Sequence, residues 1–260
     1  MSVQTSYLPE LGRAPFPAGS GHAVHAMRRG AARPLIPKST SASQRLLGPA
    51  LVILLWFIAT LSGWLSPETL PRPDTVAATF KELWADGYLA DNIGASLARA
   101  GQGLAAGVAA GLLLALAAGL TRLGDALFDG LVQIKRALPN LALIPLFIMW
   151  MGIGEAMKIT VIALGVFVPV YINTHAALRD IDLRYVELAQ TVDLNRRQFL
   201  RYIVFPSCLP GFFTGLRLAA THAWTALVVV ETINATSGIG YMISQARIYG
   251  QIEIVIAGLV

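Results

Sequence analysis

This 260-residue chain is poor in the residues of redox and soft-metal chemistry, with one Cys and four His. Cys208 is the single cysteine, so neither an intramolecular disulfide nor a cysteine-based metal site can form. Between Pro206 and Pro210 it reads as a small buried apolar residue. His175 and His222 lack ligand partners at metal spacing and read as packed polar residues. Gly152-Ile153-Gly154 lacks the third glycine and the strand–helix context of a nucleotide site, and the chain has no Gly-x-x-x-x-Gly-Lys-[Ser/Thr] phosphate loop. Two other kinds of polar chemistry remain. One is a charged, cappable stretch from Arg179 to Pro210, suited to docking a partner. The other is isolated polar groups inside apolar segments, Arg217 and Asn173. An ionisable residue at such depth is a functional candidate by default.

The elements that must position these groups are membrane spans. Hydrophobic residues make up 55% of the chain and charged residues 13%, about half the charged share of a soluble domain. The apolar residues come in long blocks, the mark of transmembrane segments. Six of the twenty Lys/Arg (Arg13, Arg28, Arg29, Arg33, Lys38 and Arg45) precede the first block, and five more lie between Arg179 and Arg201. They flank spans instead of forming a stripe, which excludes nucleic acid as the natural partner and fits positive-inside orientation. The N-terminus and the 179–205 segment are both expected in the cytoplasm.

Residues 1–45 are rich in Pro, Gly, Ser, Ala and Arg and read as a disordered cytoplasmic tail. The first apolar block starts too late for a typical signal peptide. Met27 is a candidate start. Residues 46–260 form the transmembrane domain, an all-α polytopic bundle. Its spans are expected at about Leu46–Leu65, within Ile93–Leu120, at about Leu127–Trp150, at about Ile159–Ala177 and at about Leu209–Val230. An acid-leaning loop, Ser66–Asn92, belongs outside. In the second span Gly103, Gly107, Gly111, Ala115 and Gly119 recur every fourth residue. Such a face lets another helix approach closely, and its ordinary use is packing within one subunit. Pro139 and Pro145 are expected to bend or break the third segment. The last apolar stretch, Ile252–Val260, has nine residues, about 13 Å of helix, so the expectation is either a sequence that stops inside a sixth span or a last segment that is not a true span.

Within Arg179–Pro210, Asp182–Val192 reads as one short helix and Asp193-Leu194-Asn195 as a break. Asn195 then caps a second helix, Arg196–Phe205, with Gln198 completing a capping box and Pro206 ending it. Leu183, Val186, Phe199 and Ile203 supply apolar patches. Two short capped helices on the cytoplasmic side need something to contact.

Glu187-Leu188-Ala189, then Asp193, then Ile203-Val204-Phe205-Pro206 resembles the EAA motif of ATP-binding-cassette importer permeases. That motif reads Glu-Ala-Ala, three residues, Gly, nine residues, Ile, one residue, Leu-Pro. The spacing matches throughout; Leu188, Asp193 and Phe205 depart from it. The glycine position implies a left-handed backbone, which Asp tolerates better than most residues. Leu141-Ala142-Leu143-Ile144-Pro145-Leu146 with Trp150-Met151-Gly152-Ile153-Gly154-Glu155 resembles the sulfonate, taurine and nitrate permeases. Tyr171-Ile172-Asn173-Thr174, Glu231-Thr232-Ile233 and Ser237-Gly238-Ile239-Gly240-Tyr241 are most similar to aliphatic sulfonate members.

The resemblance implies a multi-pass permease of the bacterial cytoplasmic membrane with six spans, working by alternating access. It implies no catalytic residue, metal or cofactor in this chain, with ATP and Mg bound by a partner ATPase subunit. It also implies an extracytoplasmic substrate-binding protein, a permease homodimer and a lipid bilayer around it. The loop at 179–206 becomes the coupling segment, with Glu187 anchoring it to the ATPase; the plain alternative has Glu187 serving a helix start. Arg217 and Asn173 become candidates for the path, against an ordinary role for Arg217 in pairing or snorkelling. Taurine, nitrate or another small anion are the alternative substrates. An ion-coupled secondary transporter is the rival class, but it calls for an inverted repeat that the sequence does not display.

Overall fold

The computed structural model describes residues 46–66 and 68–260, and every regular element among them is a helix. The expected disordered tail at 1–45 and the candidate start at Met27 lie outside the described residues. Packing is described for residues 51–260, which form one contact unit.

Helix α1, Leu47–Leu61, is wholly apolar and ends before the expected Leu65. Gly63 turns the chain there with φ +73, a conformation that costs glycine little. Its 15 residues reach about 22 Å, short of the ~30 Å hydrocarbon thickness. The segment after it was expected to be a loop but contains α2, Pro73–Ala85. Val76, Phe80 and Trp84 recur every four residues, a helical signal hidden by the charged residues Asp74, Lys81 and Glu82 around them. Val76 is buried and the other two rings stack at 6.4 Å. Trp56 of α1 donates its indole N–H to the Pro71 carbonyl at 3.0 Å, tying α1 to this segment.

Helix α3, Tyr88–Leu120, starts earlier than the expected Ile93 and runs for 33 residues, about 50 Å. The third apolar region is a broken pair. Helix α4, Arg122–Ala137, and helix α5, Asn140–Met151, are bent by 92°. Pro139 disfavours helical geometry for the residue before it, and Leu138 is extended with ψ 125. Helix α6 is Glu155–Arg179 and α7 is Leu183–Thr191. Helix α8 runs without a stop from Arg196 to Ile233. Two shorter helices follow, α9 Ile239–Ile248 and α10 Ile252–Leu259, which pack on each other. Helices α3, α6 and α8 are each long and apolar enough to cross a membrane, and the bent α4/α5 pair adds a fourth segment of that kind.

Helix α6 lies between α3 and α8 and carries the core. Val161, Ile162, Val166 and Val170 are fully buried against Ala219, Ala223, Leu227 and Val230 of α8. The small-residue face of α3 meets α6 within the same chain. A Cβ added at Gly107 would lie 2.5 Å from the Ala163 carbonyl oxygen, and one at Gly111 2.8 Å from that of Phe167. Helix α8 presents a second such face, Gly211, Gly215, Ala219 and Ala223, which the sequence reading overlooked. A Cβ at Gly215 would lie 2.8 Å from the Pro169 carbonyl oxygen.

Gly107→Leu is therefore expected to lower stability by ~1–3 kcal/mol through overpacking. Gly101→Ala, with open space around the new methyl, leaves stability unchanged or slightly raised. Thermal unfolding in detergent measures both; equal melting of the two variants would contradict the α3–α6 seam.

Candidate functional site

The loop at one end of the bundle is built by local capping. Asp182 caps α7 by accepting the Arg184 backbone N–H at 2.9 Å. Its carboxyl is held below the ordinary carboxylate range, first by the Arg184 guanidinium hydrogen bond and then by that backbone N–H. At the other end of α7 the chain closes in a Schellman arrangement. Leu194 N–H donates to the Ala189 carbonyl at 2.9 Å and Asp193 N–H to the Gln190 carbonyl at 3.2 Å. Asp193 sits at φ 51, the only left-handed non-glycine residue among those described. Asn195 then opens α8 with a full capping box. Its side chain accepts the Gln198 N–H at 2.9 Å, and its own N–H donates to the Gln198 side chain at 3.0 Å.

The second short helix expected to end at Pro206 is corrected by the structure: it is the first part of α8. A π turn at Leu200–Val204 precedes Pro206, which sits in the first turn of the α-helical part beginning at Phe205. Proline lacks an N–H and crowds the preceding turn; the wider π turn is where that mismatch falls, so the helix continues.

Glu187 and Leu188 lie exposed side by side on α7, with Leu183 and Val192 exposed on the same helix and at its end. Ala189 faces inward at 5% exposure. Phe199 and Val204 turn toward Leu178 and Cys208, so Phe199 belongs to the interior more than to the expected surface patch. Ile203 is half-buried, while Phe205 and Pro206 are exposed. Glu187 is the fifth residue of α7, beyond the first turn where a helix dipole acts most. Cys208 is buried, the ordinary reading given to it.

At the opposite end of the bundle lies a cluster that sequence reasoning missed. Glu231 of α8 has a fully buried carboxylate, and Arg99 of α3 donates to it at 2.8 Å. Ser96 donates to the same carboxylate at 2.8 Å, and Gly240 N–H at 3.0 Å. Arg99 also forks onto Glu155 at the start of α6, at 2.6 and 3.0 Å, and onto the Ser237 carbonyl at 2.7 Å. Lys158 joins Glu155 at 2.8 Å, and Asn92 accepts the Gly238 N–H at 2.7 Å. Gly238 has φ +115, and a Cβ there would collide with the Glu231 carboxyl. The Ser237–Gly240 turn is thus folded onto a buried anion. Asn92, Ser96, Arg99, Gly103 and Gly107 share one face of α3 at helical spacing, which was the available signal.

The two bundle candidates stand apart from both ends. Asn173 on α6 is half-buried, packs against Gly215 and donates to the Pro169 carbonyl at 2.8 Å. Arg217 on α8 is exposed and forms no salt bridge among the described residues. His175 is buried between Asp125 at 3.1 Å and Asp129 at 3.6 Å, and it stacks on Tyr171. No group of three metal-ligating residues occurs among the described residues.

Residues 107–260 match the family model of binding-protein-dependent transport system inner membrane components. A Bacillus subtilis protein named as an aliphatic sulfonates transport permease, SsuC, is 39% identical over 215 residues, 83% of this chain and 78% of that protein. The Escherichia coli protein of the same name is 40% identical over 212 residues, 82% of this chain and 81% of that one. The taurine transport system permease protein TauC of Escherichia coli is 33% identical over 214 residues, 80% of this chain and 78% of its own length.

Arg99→Gln strands a buried carboxylate and is expected to cost on the order of 3–5 kcal/mol. Glu231→Gln costs less, because Arg99 keeps its fork to Glu155. The double variant costs less than the sum of the two, the signature of direct coupling. Thermal unfolding of the three variants measures this, and strict additivity would contradict a paired role.

Proposed function

The chain belongs to the binding-protein-dependent transport system inner membrane component family as an ATP-binding-cassette importer permease, and on that basis we propose that it moves aliphatic sulfonates across the bacterial cytoplasmic membrane. The observation that carries the substrate is the similarity gradient. Two relatives named for aliphatic sulfonates share 39% and 40% of aligned residues, and the taurine permease 33%. Taurine, nitrate or another small anion is the second reading, favoured by the taurine permease matching over a comparable share of the chain.

The capped loop at 179–206 is the proposed contact with a separate ATPase subunit, which binds ATP and Mg. Exposed Glu187 and Leu188 on α7, with Leu183 beside them, offer a charge and an apolar surface for a groove. Asp193, Asn195 and Gln198 hold the two helices in register. Ile203, Phe205 and Pro206 lie inside the first part of α8, which continues to the opposite end of the bundle. Closure of two ATPase subunits around ATP then becomes a rigid displacement of the spans between inward- and outward-facing states. The reading further includes a homodimer embedded in the lipid bilayer, a cytoplasmic N-terminus and an extracytoplasmic binding protein that delivers the substrate. The basic residues near 179–201 support that orientation.

Uptake of a radiolabelled alkanesulfonate in cells with and without the gene tests the substrate. It is expected to vanish on deletion and to resist competition by taurine and nitrate. Unchanged uptake on deletion would overturn the assignment. Glu187→Lys is expected to reduce uptake by about tenfold, the effect of losing one good interface contact, with membrane insertion intact. Wild-type uptake by that variant would sink the anchor role.

A further inference from the structure

The break between α4 and α5 opens onto a cavity of ≈ 570 Å³ whose walls come from the middle of α6 and the middle of α8. Its volume is in the range of small-molecule sites, about 300–1,000 Å³. Lys135, Arg136, Asn140, Asn173, His222 and Thr225 supply its polar lining, and no carboxylate takes part. Neither cation forms a salt bridge with any described residue. Lys135 Nζ donates to the Leu164 carbonyl at 2.9 Å and lies 3.4 Å from Asn140 Oδ1. An ammonium has three donors, so one remains for the cavity. Asn173 donates one amide N–H to Pro169 and retains the other.

Three independent features converge here. Half-buried Lys135 and exposed Arg136 sit beside the break in the bent α4/α5 pair, and ionisable residues within spans mark pathways. Irregular backbone at membrane depth is tolerated where it lines a water-filled cavity, and the extended Leu138–Pro139 link lines this one. Pro169, also on the wall, leaves a carbonyl of α6 without its helical donor.

We propose that this cavity is an anion-binding site within the membrane domain, taking the oxyanion headgroup of a sulfonate or a similar small organic anion. Lys135 and Arg136 supply the charge, and Asn173 and His222 supply further hydrogen bonds. Lys135 also holds the α4/α5 break to α6 through the Leu164 carbonyl, so an arriving anion meets the group that fixes that break. The identity of the anion rests on the sulfonate reading above; the sign of the site does not.

The test uses cysteine chemistry on the full chain in zwitterionic-lipid nanodiscs. Cys208→Ala removes the only cysteine, and Thr225→Cys places a thiol on the cavity wall. Its reaction rate is measured with anionic 2-sulfonatoethyl methanethiosulfonate and with the cationic trimethylammonioethyl analogue. The anion-to-cation rate ratio is expected to exceed that of free cysteine by about tenfold or more, the effect of a focused field. Lys135→Gln with Arg136→Gln returns the ratio toward the solution value, Lys135→Arg preserves it, and methanesulfonate slows the anionic reagent. A ratio at or below that of free cysteine overturns the site, as does a raised ratio that removal of both charges leaves unmoved. Should the double variant not fold, Arg136→Gln alone decides, since that side chain has no hydrogen-bond partner among the described residues: a fall in the ratio supports the site and no change overturns it. Uptake and ATP play no part in this readout, so a failed uptake assay would strike the substrate and leave the cavity to be judged separately.

Discussion

Helix α6 is gripped on two sides by faces that have almost no side chain. Gly103, Gly107 and Gly111 of α3 let backbone approach backbone on one side, and Gly211 and Gly215 of α8 do so on the other. In lipid there is no hydrophobic force between helices, so association rests on van der Waals contact and polar pairing. Close approach maximises the first. It also brings Arg99 of one helix within hydrogen-bond reach of Glu155 and Glu231 on the other two. The central core and the buried charge cluster both depend on this three-helix sandwich.

That dependence explains what the sequence made legible. The small-residue periodicity of α3 is a local pattern and reads directly. The loop also reads well, because capping is decided by neighbours within four residues. Asp182, Asp193, Asn195 and Gln198 do locally what their types suggest. The continuation of α8 through Pro206 did not read, since proline alone signals a stop. The π turn that accommodates it has no marker in composition. Helix α2 was hidden because its acids suggested a solvated loop, although Val76, Phe80 and Trp84 keep helical spacing.

The charge cluster was the largest omission. Glu231 and Arg99 are 132 residues apart in the chain, and no local rule joins them. Each alone is an isolated charge near a span end, which ordinarily reads as an interface anchor. Only the packing of α3 against α6 and α8 makes them partners, and Gly238 then becomes necessary because the carboxylate occupies the space of a side chain. The site residues resolve into two kinds: those of the loop, positioned by sequence neighbours, and those of the bundle, positioned by the sandwich.

Helix α8 is a single member of 38 residues, about 57 Å long. One end is fastened by a reciprocal cap at Asn195, and near the other the Glu231 carboxylate is clamped by three groups. A strut held this way has no free joint. Its helical ladder is interrupted near that cap, by the five-residue π turn and by Pro210, which has no N–H to donate. A torque applied at the capped end would first change the winding of these interrupted turns, and only the remainder would arrive at Glu231 as axial rotation. Such a helix would behave as a torsion spring in series with a shaft, with the winding of those few turns deciding how much rotation passes from one end of the bundle to the other.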